Sequence, residues 1–223
     1  MEQGCKYQRH GQAQTRRILD AAQRLFIENG IDAVTLSQVA AACGITRATL
    51  YKYFSSKERL LWEIHHLHMA RYGEELKELL GGRQRTTYQR FSAYFDLLYA
   101  RFCTDMDSFL FLRVFDSIYQ QETVPGGQGM YRKVFHPSDF GSGDTVRLLA
   151  ANFHDGSVLA GLDPIPTCAA LVYSSLSLLS GFAQDARYLP AKYGVEARLL
   201  ARAALDALLR GIAPRQESPV PGD

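Results

Sequence analysis

The sequence predicts an all-α chain, with a small three-helix head at the N-terminus and a larger helical body behind it. Three observations carry this. Apolar residues recur at the spacing of amphipathic helices almost from end to end. Threonine, serine and glycine stand where those runs start and stop, as helix caps do. No stretch alternates apolar and polar residues over the length of a strand, and no internal repeat is visible. At 223 residues and 47% apolar content, the chain has the material for a small domain joined to a larger one.

Taken in order, residues 1–11 are expected to form an unstructured arm, and they lack the apolar core of a signal peptide. Ile18, Ala22, Leu25, Phe26 and Asn29 follow the rhythm of a first helix, which Gly30 stops. Thr35 caps a short second segment carrying Leu36, Val39, Ala40 and Cys43 on one face, and Gln38 sits where a capping box needs it. Gly44 breaks that segment. A third helix is expected from about Thr46 to Phe54, completing a head over residues 12–56. Ser55-Ser56 then offers a cap for a long helix from Lys57 to about Leu80, ended by Gly81-Gly82.

The body, residues 57–211, opens with that connecting helix. Further helices are expected near 86–103, 106–121, 144–154, 165–186 and 193–211. A stretch rich in glycine and proline over 122–143 reads as a mobile loop, and residues 212–223, with three prolines, as a disordered tail.

Charge is uneven. Residues 1–60 hold nine Lys/Arg against five Asp/Glu, whereas the rest holds sixteen against eighteen. A basic head on a mildly acidic body suits a polyanion at one end, although surface accident gives the same pattern. Cys5, Cys43, Cys103 and Cys168 form no CxxC pair and no zinc-ligand spacing, which fits a reducing compartment. The most apolar run, Cys168 to Phe182, is too short for a membrane span and contains four serines. The expected address is the cytoplasm, with no membrane partner.

The informative stretch is Thr35 to Phe54, which reads as helix, tight turn, helix. Gly44 permits the turn. Ile45, Leu50 and Phe54 form the inner side of the second helix. The other side presents Arg47 with Tyr51 and Ala48 with Lys52, flanked by Thr46, Thr49 and Tyr53. A cation, hydroxyls and aromatic edges about two turns long fit a DNA major groove. Lys57 opens the next helix, where its backbone N–H groups and side chain suit a phosphate. A three-helix bundle that merely packs is the plainer alternative.

On these residues the sequence resembles the TetR family of bacterial regulators. The likeness runs from about Thr15 to Leu61, through Ile18-Leu-Asp-Ala-Ala, Leu25-Phe26, Gly30, Thr35, Val39-Ala40, Gly44-Ile-Thr, Leu50-Tyr-Lys-Tyr-Phe54, Lys57-Glu58 and Leu60. Beyond residue 65 it is one of layout only. The resemblance implies that Thr35, Tyr53 and Lys57 hold the DNA backbone, while Arg47, Ala48, Thr49, Tyr51 and Lys52 face base edges. It implies a homodimer, with helices 165–186 and 193–211 pairing with their mates. It implies a repressor that a small molecule releases from a palindromic operator. A ligand-independent regulator, or an activator using the same head, is the alternative.

The body has its own signals. Helix 165–186 carries no charge from Thr167 to Gln184, and in helix 193–211 Arg198, Arg202, Asp206 and Arg210 are spaced by four and form one narrow charged stripe. Both therefore need partners on most sides, within the chain or from a second copy. Residues 88–140 contain thirteen of the chain's 24 Phe and Tyr. His68, Phe91, Phe95, Phe102, Phe109, Arg113 and Phe115 are candidate lining for a pocket that takes an apolar or aromatic effector. Plain core is the alternative for the aromatic stripes. Arg113 either anchors a ligand carboxylate or pairs with Asp116 or Asp96. Glu63 and His66 have the spacing of a di-iron helix, but no second such motif exists, so no metal is expected. No GxSxG, P-loop or dinucleotide fingerprint is present, and neither enzymatic activity nor a cofactor is expected.

Overall fold

A computed structural model of the chain describes residues 2–80, 85–119 and 142–215. All regular structure among them is helical: α1 (Glu2–Asn29), α2 (Leu36–Ala42), α3 (Arg47–Tyr53), α4 (Lys57–Leu80), α5 (Thr87–Thr104), α6 (Met106–Tyr119), α7 (Ser142–Ala150), α8 (Pro164–Asp185), α9 (Leu189–Tyr193) and α10 (Ala197–Gly211). The bounds of α4 coincide with those expected from the sequence.

Three expectations change, and a fourth lies mostly outside the described residues. Helix α1 already begins at Glu2 instead of after an unstructured arm. Gly11 costs about 1 kcal/mol relative to Ala in a helix interior, which weakens a helix without breaking it, and no proline intervenes. The helix expected over 193–211 begins only at Ala197, as α10; the short α9 precedes it and ends at Tyr193, where Gly194 adopts a left-handed φ of 68°. The tail starts later than residue 212: Ile212 is buried, and its carbonyl accepts the Leu159 N–H at 2.9 Å. The loop expected over 122–143 lies, up to residue 141, outside the described residues, and α7 begins at Ser142.

The chain forms two compact units, Met1–Ala70 with Leu110–Asp139 and Arg71–Phe109 with Phe140–Asp223. In the first, α1, α2 and α3 enclose Ile18, Phe26, Val39 and Leu50, and the start of α4 adds Leu60, Leu61 and Trp62 to the same core. The head is therefore larger than residues 12–56, since the first turns of α4 are buried in it.

In the second unit, α8 packs on α7 and α10, and α10 packs on α5. Cys168, Leu171, Val172, Ser175, Leu179 and Ala183 form the buried stripe of α8, spaced by three and four as one helix face requires. The Ser175 hydroxyl lies 3.2 Å from the Tyr94 hydroxyl and donates to the Val172 carbonyl at 2.9 Å, so this buried oxygen is satisfied. The Arg90 guanidinium is also buried; it donates to the carbonyls of Arg85, Leu149 and Ala151, the last two at the C-terminal end of α7. Arg202 on α10 bonds Asp206 on its own helix and Asp96 on α5, so the charged stripe of α10 holds two helices together.

By length and composition alone α8, at 22 residues, is long and apolar enough to cross a membrane, contrary to the sequence expectation. Within the unit its opposite face is open, with Ile165 54% and Tyr173 70% exposed; on α10, Leu199 is 62% exposed beside exposed Ala203 and Ala207.

Candidate nucleic-acid interface

Local capping builds the helix-turn-helix. The Thr35 hydroxyl accepts the Gln38 N–H at 3.3 Å, while the Thr35 N–H donates to the Gln38 side-chain oxygen at 2.7 Å. This is the capping box read from the sequence. Helix α2 ends at Cys43, and Gly44, at φ 64°, turns the chain in the left-handed region that an L side chain enters at a cost of about 1–2 kcal/mol. The turn is bonded back to α2: the Gly44 N–H donates to Ala41 and the Ile45 N–H to Ala40, both at 3.0 Å. Thr46 then caps α3, its hydroxyl accepting the Thr49 N–H at 3.1 Å. Leu50 is fully buried and Phe54 nearly so, which anchors one side of α3 and turns the other outward.

On that outer side Arg47, Ala48, Tyr51, Lys52 and Tyr53 are exposed and Thr49 half-exposed. The structure brings these residues together on one helix, as the spacing requires. Arg47 Nη2 donates to the Tyr51 hydroxyl at 3.0 Å, and its guanidinium lies 5.3 Å from the Tyr51 ring centre. A planar fork ordered over an aromatic ring suits paired acceptors on a base.

Three of the expected contact residues have internal duties. Thr35 and Thr46 are committed as caps. The Lys57 ammonium donates to the carbonyls of Ile31 at 2.8 Å and Val34 at 3.2 Å, inside the head. Sequence reading missed Arg17, whose guanidinium donates to the Cys43 carbonyl at 3.3 Å. Its target is a main-chain atom 26 positions away, so no side-chain pattern announces it.

The residues expected to line a pocket fall into two groups. His68 and Phe115 belong to the first unit. There His68 Nε2 lies 2.9 Å from the Gln23 side-chain oxygen, tying α4 to α1. Phe115 stacks on His65 at 4.2 Å and meets the Trp62 ring edge-on at 4.8 Å. Burial is the main cause that holds the His65 imidazole down at about 3, with the His68 and His66 charges adding to it. Phe91, Phe95, Phe102 and Phe109 belong to the second unit and are buried; Phe102 and Phe109 meet edge-on at 5.6 Å. Arg113 is exposed, and the Asp96 expected as one of its partners bonds Arg202 instead. Glu63 is paired with Arg59 at 2.6 Å.

Residues 18–64 match the family model described as bacterial regulatory proteins, tetR family. An uncharacterized HTH-type transcriptional regulator of Mycobacterium tuberculosis is 43% identical over 60 residues, 27% of this chain and 30% of the relative. The match thus spans less than a third of that curated relative. Likeness to solved structures covers nearly the whole chain at low identity, and it establishes the fold. NalD, the secondary repressor of the MexAB-OprM multidrug efflux pump in Pseudomonas aeruginosa, aligns with a TM-score of 0.60 and 22% identity over 91% of this chain and 98% of that one. SmeT, the repressor of the Stenotrophomonas maltophilia efflux pump SmeDEF, aligns in its triclosan complex with a TM-score of 0.62 and 22% identity over 95% of this chain and 96% of that one.

Proposed function

We propose, on the premise that residues 18–64 belong to the tetR family of bacterial regulatory proteins, that this chain is a DNA-binding transcriptional repressor. The observation that carries the reading is α3, which buries Leu50 and turns Arg47, Ala48, Tyr51 and Lys52 outward over about two turns. A helix of this length, seated on a compact three-helix base, fits one major-groove half-site. The repressor sense rests on the fold shared with NalD and SmeT.

The operator is a palindrome and the protein a homodimer in this reading. The open apolar faces of α8 and α10, with Ile165, Tyr173 and Leu199, are the surface we assign to the second copy. The effector is a small apolar or aromatic molecule bound in the aromatic-rich body, by analogy with the triclosan complex of SmeT. Linkage sets the requirement: the effector binds the arrangement that does not fit DNA better, by about 1–3 kcal/mol, and operator weakens the effector by the same factor.

Selection of bound duplexes from a random pool tests the reading. We expect an inverted repeat whose half-site centres lie about 34–36 Å apart, or a simple extension of that spacing. Failure to enrich any sequence would remove the proposal.

A further inference from the structure

Helix α2 is gripped at both ends by cations from other helices, and both grip the main chain. At its entry, Lys57 from α4 bonds the carbonyl of Val34, the residue before the N-cap, and that of Ile31. At its exit, Arg17 from α1 bonds the carbonyl of Cys43, the C-cap. The Cys43 thiol reciprocates toward the Arg17 carbonyl at 3.7 Å. The two cations thus occupy opposite ends of a single short helix.

That helix needs fixing from outside. It has seven residues, well under the ~12–15 at which an isolated helix becomes even marginal in water. Its buried side chains are Val39 and Ala40. Apolar burial is non-directional, so it presses α2 onto the core without setting its slide or rotation. Hydrogen bonds at the two ends are directional and set both. Because the Gly44 and Ile45 N–H groups are bonded back to α2, whatever fixes α2 also fixes where α3 begins.

We infer that Lys57 and Arg17 are positioning residues that clamp α2 by its flanking carbonyls and so set the angle at which α3 presents its outer face to DNA. The inference rests on the reading of α3 as the DNA-reading helix. For Lys57 it replaces the phosphate contact expected from the sequence: the ammonium is turned to carbonyls inside the head.

The two roles differ in what they do to binding. A phosphate ligand contributes alike to every sequence and adds to the salt dependence. A positioning residue contributes to the preferred sequence and leaves the salt dependence alone. The test uses the full chain, the duplex enriched by selection and a random duplex, titrated over a range of salt well below each variant's melting temperature. Lys57→Met and Arg17→Met keep the stems and remove the donors, Lys57→Arg keeps a donor, and Lys57→Leu and Arg17→Leu serve if a Met variant does not fold.

We expect each Met variant to lose about tenfold or more of its preference for the selected site, with the slope of log affinity against log salt unchanged and Lys57→Arg recovering most of the preference. A slope shallower by about one with unchanged preference would make the residue a phosphate ligand and overturn the inference. So would variants indistinguishable from the parent. If the parent chain itself enriches no sequence, the DNA-reading assignment fails, which is a different result from an enriched site that the variants still prefer.

Discussion

Arg47 and Tyr51, one turn apart on α3, hold each other: the guanidinium donates to the phenol oxygen at 3.0 Å and lies over the ring at 5.3 Å. The pair orders the Arg47 fork before any DNA arrives, which reduces the side-chain entropy lost on binding. Arg47→Ala should relax selection at one base pair per half-site, costing on the order of 1–3 kcal/mol there. Tyr51→Phe keeps the ring under the cation and should cost less. Competition titrations with single-base operator variants check both. Equal losses on operator and random DNA would show that Arg47 reads no base.

Asp155 caps α5 from a distant loop. Its carboxylate accepts the Thr87 N–H at 2.6 Å and the Thr87 hydroxyl at 3.1 Å, and it also takes the Ser157 N–H and hydroxyl. Desolvation alone would raise its pKa, but the bonds from Ser157 and Thr87 outweigh it and hold the carboxyl at about 2. A carboxyl depressed by folding stabilises above its unfolded value of about 3.9, and that stability drains as pH falls from there toward 2. Asp155→Ala should lower stability at pH 7 by about 1 kcal/mol, as loss of a helix cap does, in urea titrations.

His65 acts in a different pH window. Its imidazole is held neutral down to about 3 by burial against the Phe115 and Trp62 rings and by the neighbouring His68 and His66. The unfolded chain takes up this proton near 6.5, so the contribution is constant above about 6.5 and is lost as pH falls from there toward 3. His65→Phe should flatten the decline in melting temperature between pH 7 and pH 5. An unchanged slope in thermal melts across that range would show that another group sets it.

Tyr173 and Leu199 test the assembly. Both are more than half exposed and lie on the faces of α8 and α10 assigned to a second copy. Replacing either by Glu should weaken self-association on the order of a hundredfold and leave helical content unchanged. Sedimentation equilibrium of the parent and the two variants reads this directly. A parent chain that stays monomeric at micromolar concentration would overturn the dimer assignment.

Local chemistry was legible in the sequence, and distant contacts were not. The Thr35–Gln38 box, the Gly44 turn and the Leu50–Phe54 face are set by neighbours within four residues, so spacing alone reveals them. The grip of Lys57 on Ile31 and Val34 joins positions more than twenty apart and targets carbonyls, which every residue carries. The placement of the aromatic run was illegible for a related reason. Periodicity shows that Phe95, Phe102, Phe109 and Phe115 are buried, but not that Phe115 packs with Trp62 and His65 in one unit while Phe102 packs with Phe109 in the other. Gly194 was visible as a glycine; the left-handed conformation it adopts between α9 and α10 was not.

The carbonyls bonded by Lys57 and Arg17 have an evolutionary consequence. Mutation changes side chains and leaves the peptide group as it was, so substitutions at Val34 or Cys43 leave both acceptors in place. The outer residues of α3 take no part in either bond. Descendants of this chain can therefore exchange Arg47, Ala48 or Lys52 and acquire a new target sequence on an inherited frame, one substitution at a time, without first passing through an ancestor whose head no longer holds its shape.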